Sequence, residues 1–74
     1  MEQTIKAIMA KIFNVNINEL PIEKISPENI EAWDSLKHMN LILSIEEELK
    51  VEFSDEELIN MMDYESIISV LKNK

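Results

Sequence analysis

The 74-residue sequence contains no cysteine, no glycine and only one histidine. The lack of cysteine excludes disulfides, thiolate metal sites and a catalytic thiol. One histidine cannot build a conventional zinc site, so no metal site is expected. The lack of glycine excludes Gly-rich phosphate loops, nucleophile elbows and dinucleotide-binding fingerprints, and it disfavours tight β-hairpins. These absences point away from common enzyme motifs and towards a helical protein.

Basic residues are scarce as well: 7 of them stand against 15 acidic residues, and the net charge is −8. Such a surface repels nucleic acid and anionic membranes, and it suits docking on basic patches of partner proteins. The sequence has no apolar run long enough to span a membrane. The N-terminus lacks the cationic flank and apolar core of a secretion signal, so we expect a cytoplasmic protein.

Apolar residues make up 46% of the chain, with isoleucine, leucine and methionine dominant. The length allows one domain, residues 1–74. Because the apolar residues recur with helical spacing, the predicted fold class is all-α. We expect a small monomeric four-helix bundle of three main helices and one short helix, with a long loop between helices one and two.

The predicted helices follow from this spacing and from the capping residues. They cover residues 3–13, about 35–50, about 55–61 and about 64–72. Ser54 and Glu57 form a capping box for the short helix, in which Leu58 and Ile59 are expected to face inward. Five apolar residues should pin the long loop along the bundle: Ile17, Leu20, Ile22, Ile25 and Ile30.

Helix two carries two apolar stripes. The main stripe consists of Leu41, Ile42, Ile45 and Leu49, and the second stripe of Leu36, Met39 and Leu43. A helix that is apolar on two faces usually contacts more than one neighbour. Helix two is therefore predicted to be the central helix of the bundle.

The candidate functional residue is Ser35, which follows Trp33 and Asp34 at the start of helix two. Asp34 is a good N-cap, and the positive end of the helix would stabilise a phosphate on the Ser35 hydroxyl. A plain helix start explains the same residues. A catalytic Ser35 with His38 as base is disfavoured, because one helical turn cannot supply the geometry of a triad. His38 is expected to be a helix-surface residue beside Ser35.

Seven acidic residues lie within twelve positions, from the end of helix two into the short helix: Glu46, Glu47, Glu48, Glu52, Asp55, Glu56 and Glu57. A solvated face is the simplest interpretation. Their mutual repulsion would also be relieved by a basic partner, which would gain association rate. The spacing of an EF-hand calcium site is missing.

Taken together, the chain resembles the acyl carrier protein family. The resemblance covers nearly the whole chain and rests on Asp34-Ser35-Leu36 at the head of helix two and on Ile-Glu-Glu-Glu-Leu at its end, residues 45–49. It implies an acyl-carrier-like four-helix bundle that is not an enzyme. It also implies that a phosphopantetheinyl transferase attaches 4′-phosphopantetheine from coenzyme A to Ser35, and that this arm carries acyl groups as thioesters.

The resemblance further implies that partner enzymes recognise mainly helix two. These partners would be the transferase, an acyl-loading ligase or transferase, and downstream synthases with basic docking patches. The candidate recognition residues are Asp34, Leu36, Met39, Glu46, Glu47 and Glu56.

Two positions depart from the fatty-acid-synthesis members, which resemble one another in having acidic residues where this chain has Lys37 and Asn40. Trp33 before Asp-Ser-Leu and His38 after it look more like specialised stand-alone carriers of polyketide, nonribosomal peptide or surface-glycan pathways. A D-alanyl, aminoacyl or peptidyl carrier is an alternative cargo class. An alternative of a different kind is an acidic helical adaptor without a prosthetic group.

Overall fold

A computed structural model describes residues 2–74. Within this range the chain forms four α-helices and two 3₁₀ turns, and no β-strand. The helices are α1 (Glu2–Phe13), α2 (Ser35–Leu49), α3 (Asp55–Asn60) and α4 (Tyr64–Lys72). The predicted all-α class, with three longer helices, one short helix and a long first connection, is confirmed.

The helix ends use polar side chains and left-handed residues in place of glycine. Asn14 after α1 and Lys50 after α2 both have φ of 55°, a left-handed conformation that glycine normally supplies. Ser54 Oγ accepts from the Glu57 N–H, and the Glu57 carboxylate accepts from the Ser54 N–H, as the capping box predicts. The Asp63 carboxylate accepts from the N–H of Ser66 at the start of α4.

One contiguous apolar cluster holds the helices together. It takes one face of α1, the main stripe of α2 and one face of α4, and α2 packs chiefly against α1. Its fully buried members include Ile5, Met9, Leu41, Ile45, Met61, Tyr64 and Ile67. No charged residue among those described is buried, and the polar side-chain atoms of this core, Trp33 Nε1 and the Tyr64 hydroxyl, are both hydrogen-bonded.

The connection from α1 to α2 is anchored to the core at three of the five predicted positions. Ile17, Ile25 and Ile30 are buried, and Leu20 is half-buried. Ile22 is exposed, so its predicted anchoring role is wrong. It opens a 3₁₀ turn in which neighbouring side chains point in different directions, and it falls on the outer side.

The second stripe of α2 is also exposed: Leu36 at 73%, Met39 at 54% and Leu43 at 57% of their possible surface. The prediction that α2 is a central helix covered on two faces is therefore wrong. Helix α1 covers one side, and no described element covers the other. Ile59 of α3 is likewise exposed rather than inward-facing, because a six-residue helix turns only part of its surface to the core.

Candidate functional site

Ser35 is the first residue of α2 and is exposed. The residue before it, Asp34, is the N-cap: its Oδ1 accepts from the Lys37 N–H at 2.8 Å, and its carbonyl accepts from the His38 N–H at 2.8 Å. No side-chain hydrogen bond within residues 2–74 involves the Ser35 hydroxyl. The hydroxyl is therefore accessible and uncommitted.

The first turn of α2 also offers backbone donors next to that hydroxyl. The N–H groups of Lys37 and His38 are engaged with Asp34, whereas those of Ser35 and Leu36 have no partner among the described residues. Unpaired N–H groups at a helix start stabilise a negatively charged group. An anionic substituent on the Ser35 oxygen would therefore be favoured electrostatically.

Trp33 anchors the chain segment that leads into the first turn of α2. Its side chain is only 4% exposed, and its ring stacks on Phe13 at the end of α1, with centroids 4.9 Å apart. Its backbone N–H donates to the Ile30 carbonyl at 3.0 Å. The start of α2 lies beside the end of α1, since Lys37 Nζ also reaches the Ile12 carbonyl at 3.4 Å.

His38 is half-buried and lies beside Ser35, as expected, but it is also hydrogen-bonded, which was not predicted from the sequence. Its Nδ1 accepts a hydrogen bond from Trp33 Nε1 at 2.9 Å, and the two rings stack at 6.0 Å. Burial lowers the pKa of His38 below its ordinary value of 6.5. This pair could have been inferred from the sequence only by its spacing: the tryptophan lies five residues before the histidine, and the helix starts between them.

The geometry gives no support to a catalytic serine. The Nδ1 atom of His38 is occupied by the indole N–H, and Asp34 caps the helix rather than orienting the imidazole. Within residues 2–74, no hydrogen bond joins Ser35 to His38. The parts of a triad are close in sequence but are not connected as a triad requires.

A cleft of about 290 Å³ lies directly beside Ser35. Its walls come from three parts of the chain: Pro27 of the first connection, the start of α2, and Met62 between α3 and α4. Sequence reasoning did not bring Pro27 or Met62 to the site, because their contact depends on how distant segments pack.

Comparison with known proteins places this arrangement in a family. No protein-family model matches the chain. The acyl carrier protein of Buchnera aphidicola subsp. Baizongia pistaciae (strain Bp) is 33% identical over 72 residues, which cover 97% of this chain and 91% of that protein. The acyl carrier protein of Buchnera aphidicola subsp. Schizaphis graminum (strain Sg) is 32% identical over 74 residues, covering 100% and 92%.

A third relative has a similar identity and coverage. The acyl carrier protein of Thermosynechococcus vestitus is 32% identical over 72 residues, covering 97% of this chain and 88% of that protein. The chain belongs to the acyl carrier protein family.

The recognition residues predicted for this carrier-family chain lie in different settings. Leu36 and Met39 are exposed on α2, and Glu47 and Glu56 are exposed on α2 and α3. Glu46 is half-buried, and its Oε2 accepts from the Phe53 N–H at 3.0 Å. One of its oxygens is therefore engaged in holding the α2–α3 connection.

Two further features bear on what this family member could bind. Across residues 2–74, no group of three or more histidine and carboxylate side chains is placed to hold a metal ion. In the same range, no helix has the length and apolar character needed to cross a membrane.

Proposed function

We propose that the protein is an acyl carrier in which the Ser35 hydroxyl bears 4′-phosphopantetheine. The observation that carries this proposal is the exposed, uncommitted hydroxyl at the capped start of α2, in a chain about one-third identical to acyl carrier proteins over nearly its whole length. In this proposal the protein is a carrier and not an enzyme.

The residues at the start of α2 suit a phosphodiester. Asp34 caps the helix without using the N–H groups of Ser35 and Leu36, which can then face the negative charge on the Ser35 oxygen. Attachment replaces the O–H bond of Ser35 with an O–P bond, and coenzyme A is split to release 3′,5′-ADP. Once bound, the group supplies a thiol that holds an acyl chain as a thioester.

The surface of α2 supports docking by enzymes with a mixed apolar and basic face. Leu36 and Met39 are exposed near Ser35, while Glu47 and Glu56 are exposed further away. We assign Asp34 and Glu46 to the same recognition surface, with Glu46 in the smaller role because Phe53 already engages it. The partners would be a phosphopantetheinyl transferase, a loading ligase or transferase, and downstream synthases.

The residues after Ser35 favour a specialised carrier over the general carrier of fatty-acid synthesis. Between Ser35 and Ile45, α2 has no acidic residue, and Lys37 reaches back to the Ile12 carbonyl. A partner enzyme that docks at this end of α2 would meet apolar side chains. An acidic α2 face would instead attract an enzyme with a basic docking patch. The cargo class, whether acyl, aminoacyl, peptidyl or D-alanyl, is a separate question from the attachment.

The decisive experiment is intact-mass measurement after incubation with coenzyme A, magnesium and a promiscuous phosphopantetheinyl transferase. The wild type is expected to gain one phosphopantetheine, and Ser35→Ala none. Ser69→Ala is the matched control, because Ser69 is an exposed serine on α4, and it should be loaded like the wild type. A folded wild type that gains no mass would favour the acidic adaptor without a prosthetic group.

A further inference from the structure

Trp33 and His38 are the only tryptophan and the only histidine in the sequence, and they are bonded to each other across the start of α2. The indole Nε1–H donates to His38 Nδ1 at 2.9 Å, and the ring planes lie 21° apart. Neither side chain caps the helix, since Asp34 does so. The pair therefore forms a second, independent link between the incoming chain and the first turn of α2.

Through this link Trp33 connects three parts of the molecule. Its ring stacks on Phe13 of α1, its backbone N–H is bound to the Ile30 carbonyl, and its indole N–H is bound to His38 of α2. Only the last of these contacts reaches the helix that begins with Ser35. Losing it would leave the indole stacked on Phe13 and on His38, but without a hydrogen bond to α2.

The Trp33–His38 hydrogen bond requires a neutral imidazole. When Nδ1 accepts, the single ring proton lies on Nε2. Protonation puts a hydrogen on Nδ1 as well, so that two donors face each other and the buried indole N–H loses its acceptor. A buried donor without a partner is disfavoured, so protonation of His38 and closure of the pair exclude one another.

The surroundings of His38 place little charge beside its ring. The cleft that it lines has one charged group, the Asp34 carboxylate of the α2 N-cap; the first connection contributes Pro27 and the α3–α4 connection Met62, both uncharged. Lys37, the neighbouring cation on α2, is directed to the Ile12 carbonyl. Burial lowers the pKa of His38, and the first turn of a helix also disfavours a positive charge.

We propose that His38 is a positioning residue for the Ser35 site. Only its neutral form, hydrogen-bonded to Trp33, holds the entrance of α2, the segment Trp33-Asp34 that leads into the helix, in a fixed position against the first turn. The role of Ser35 as an attachment site rests on the proposed function above, whereas the ordering of the entrance does not. In this arrangement the segment before Ser35 is held in place near neutral pH, and it is no longer held in place once His38 is protonated.

Two substitutions separate the hydrogen bond from the titration. In His38→Asn, the side-chain oxygen can take the place of Nδ1 as acceptor, and it does not titrate. In His38→Leu, the ring volume is partly kept but the acceptor is lost at every pH. The first variant should therefore behave like wild type near neutral pH, and the second should have a loosened entrance throughout.

The first test uses the unmodified protein and needs no partner. Emission from Trp33, the only tryptophan, should titrate in wild type with a midpoint below 6.5 and should not titrate in that range in His38→Asn. Amide hydrogen exchange at Trp33 and Lys37, compared with His38→Asn at each pH, should accelerate over the same midpoint. Emission and exchange that follow the same course in both proteins would overturn the proposal.

The second test measures loading of Ser35 by the transferase, as the ratio of the wild-type rate to the His38→Asn rate at each pH. The ratio cancels the pH dependence of the transferase itself. It should be near unity at neutral pH and fall several-fold within about two pH units of the midpoint, since each unit changes the protonated-to-neutral ratio about tenfold. A ratio that stays constant with pH would overturn the positioning role.

The two tests fail separately. If no protein is loaded at any pH, the proposed function fails, while emission and exchange still decide whether His38 orders the entrance. If emission titrates and loading does not follow it, the pair exists but does not position Ser35. His38→Leu should load more slowly than His38→Asn near neutral pH, and equal rates would count against the proposal.

Discussion

The two apolar stripes of α2 are alike in composition and opposite in environment. Leu41, Ile42 and Ile45 are buried, whereas Leu36 and its stripe companions Met39 and Leu43 are largely exposed. The difference arises because α1 covers only one side of α2. Hydrophobic content therefore shows which residues could be buried, and the number of packing neighbours decides which of them are.

The two stripes are therefore expected to have different roles. The buried stripe contributes the hydrophobic free energy that a chain of this size needs to fold. An exposed apolar patch is typical of an interaction surface. In the proposed carrier, the buried main stripe would hold α2 in place, and the exposed second stripe would contact partner enzymes near Ser35.

The largest effect is expected from truncating the buried stripe. Ile45→Ala should lower the free energy of unfolding by about 2–5 kcal/mol, because it removes buried methyl groups and leaves a cavity. Leu43→Ala, on the exposed stripe, should change it by no more than about 0.5 kcal/mol. Urea unfolding followed by helical circular dichroism measures both. Similar losses in the two variants would mean that the stripes are not distinct.

A second effect should appear in docking and not in stability. Met39→Gln is expected to weaken productive binding to the transferase by about 1–2 kcal/mol, roughly a 5- to 30-fold loss in kcat/KM, with an unchanged urea midpoint. Ile22→Gln is the control, since Ile22 is an exposed isoleucine outside α2. Equal losses from the two variants would show that the exposed stripe has no special role.

A smaller effect should separate the apolar end of α2 from its acidic end. Replacing Glu47 and Glu56 together by Gln should weaken partner binding at low salt, and the difference should shrink as salt rises, because surface charges are screened over about 8 Å at physiological ionic strength. The pair Glu19→Gln and Glu23→Gln changes the net charge equally on the first connection. If that pair weakens binding as much, only overall charge matters.

The smallest effect concerns the pH dependence of folding stability. Because burial holds the pKa of His38 below 6.5, the unfolded chain takes up the proton first as pH falls. The stabilisation by neutral His38 is therefore complete above about 6.5 and lost as pH drops through the folded-state pKa. The urea midpoints of wild type and His38→Asn should therefore diverge below about pH 6.5. If the two midpoints change with pH in parallel, His38 does not contribute to the pH dependence of stability.

The helices and their ends were predictable because their determinants are local. Ser54 with Glu57, and Asp63 before α4, satisfy backbone N–H groups three residues away, and such contacts can be inferred from spacing alone. The exposed position of Ser35 follows in the same way from the N-cap at Asp34. For these features, the sequence contains both partners of each interaction within one helical turn.

The errors concern residues whose environment depends on distant parts of the chain. Ile22 and Ile59 have the same apolar side chain as the buried Ile25 and Ile67, yet both are exposed. The difference lies in the direction that each short turn or helix presents to the core. Apolar character alone does not report that direction.

The sequence by itself determined the all-α class, the helix boundaries, the caps and the candidate serine, because helical periodicity and capping act between residues three or four positions apart. Only the tertiary structure decided which stripe of α2 is covered, that Met62 and Pro27 form a cleft beside Ser35, and that Phe13 of α1 supports the bonded pair of Trp33 and His38. Those outcomes depend on how separated segments pack around a shared core, and packing is a property of the whole chain.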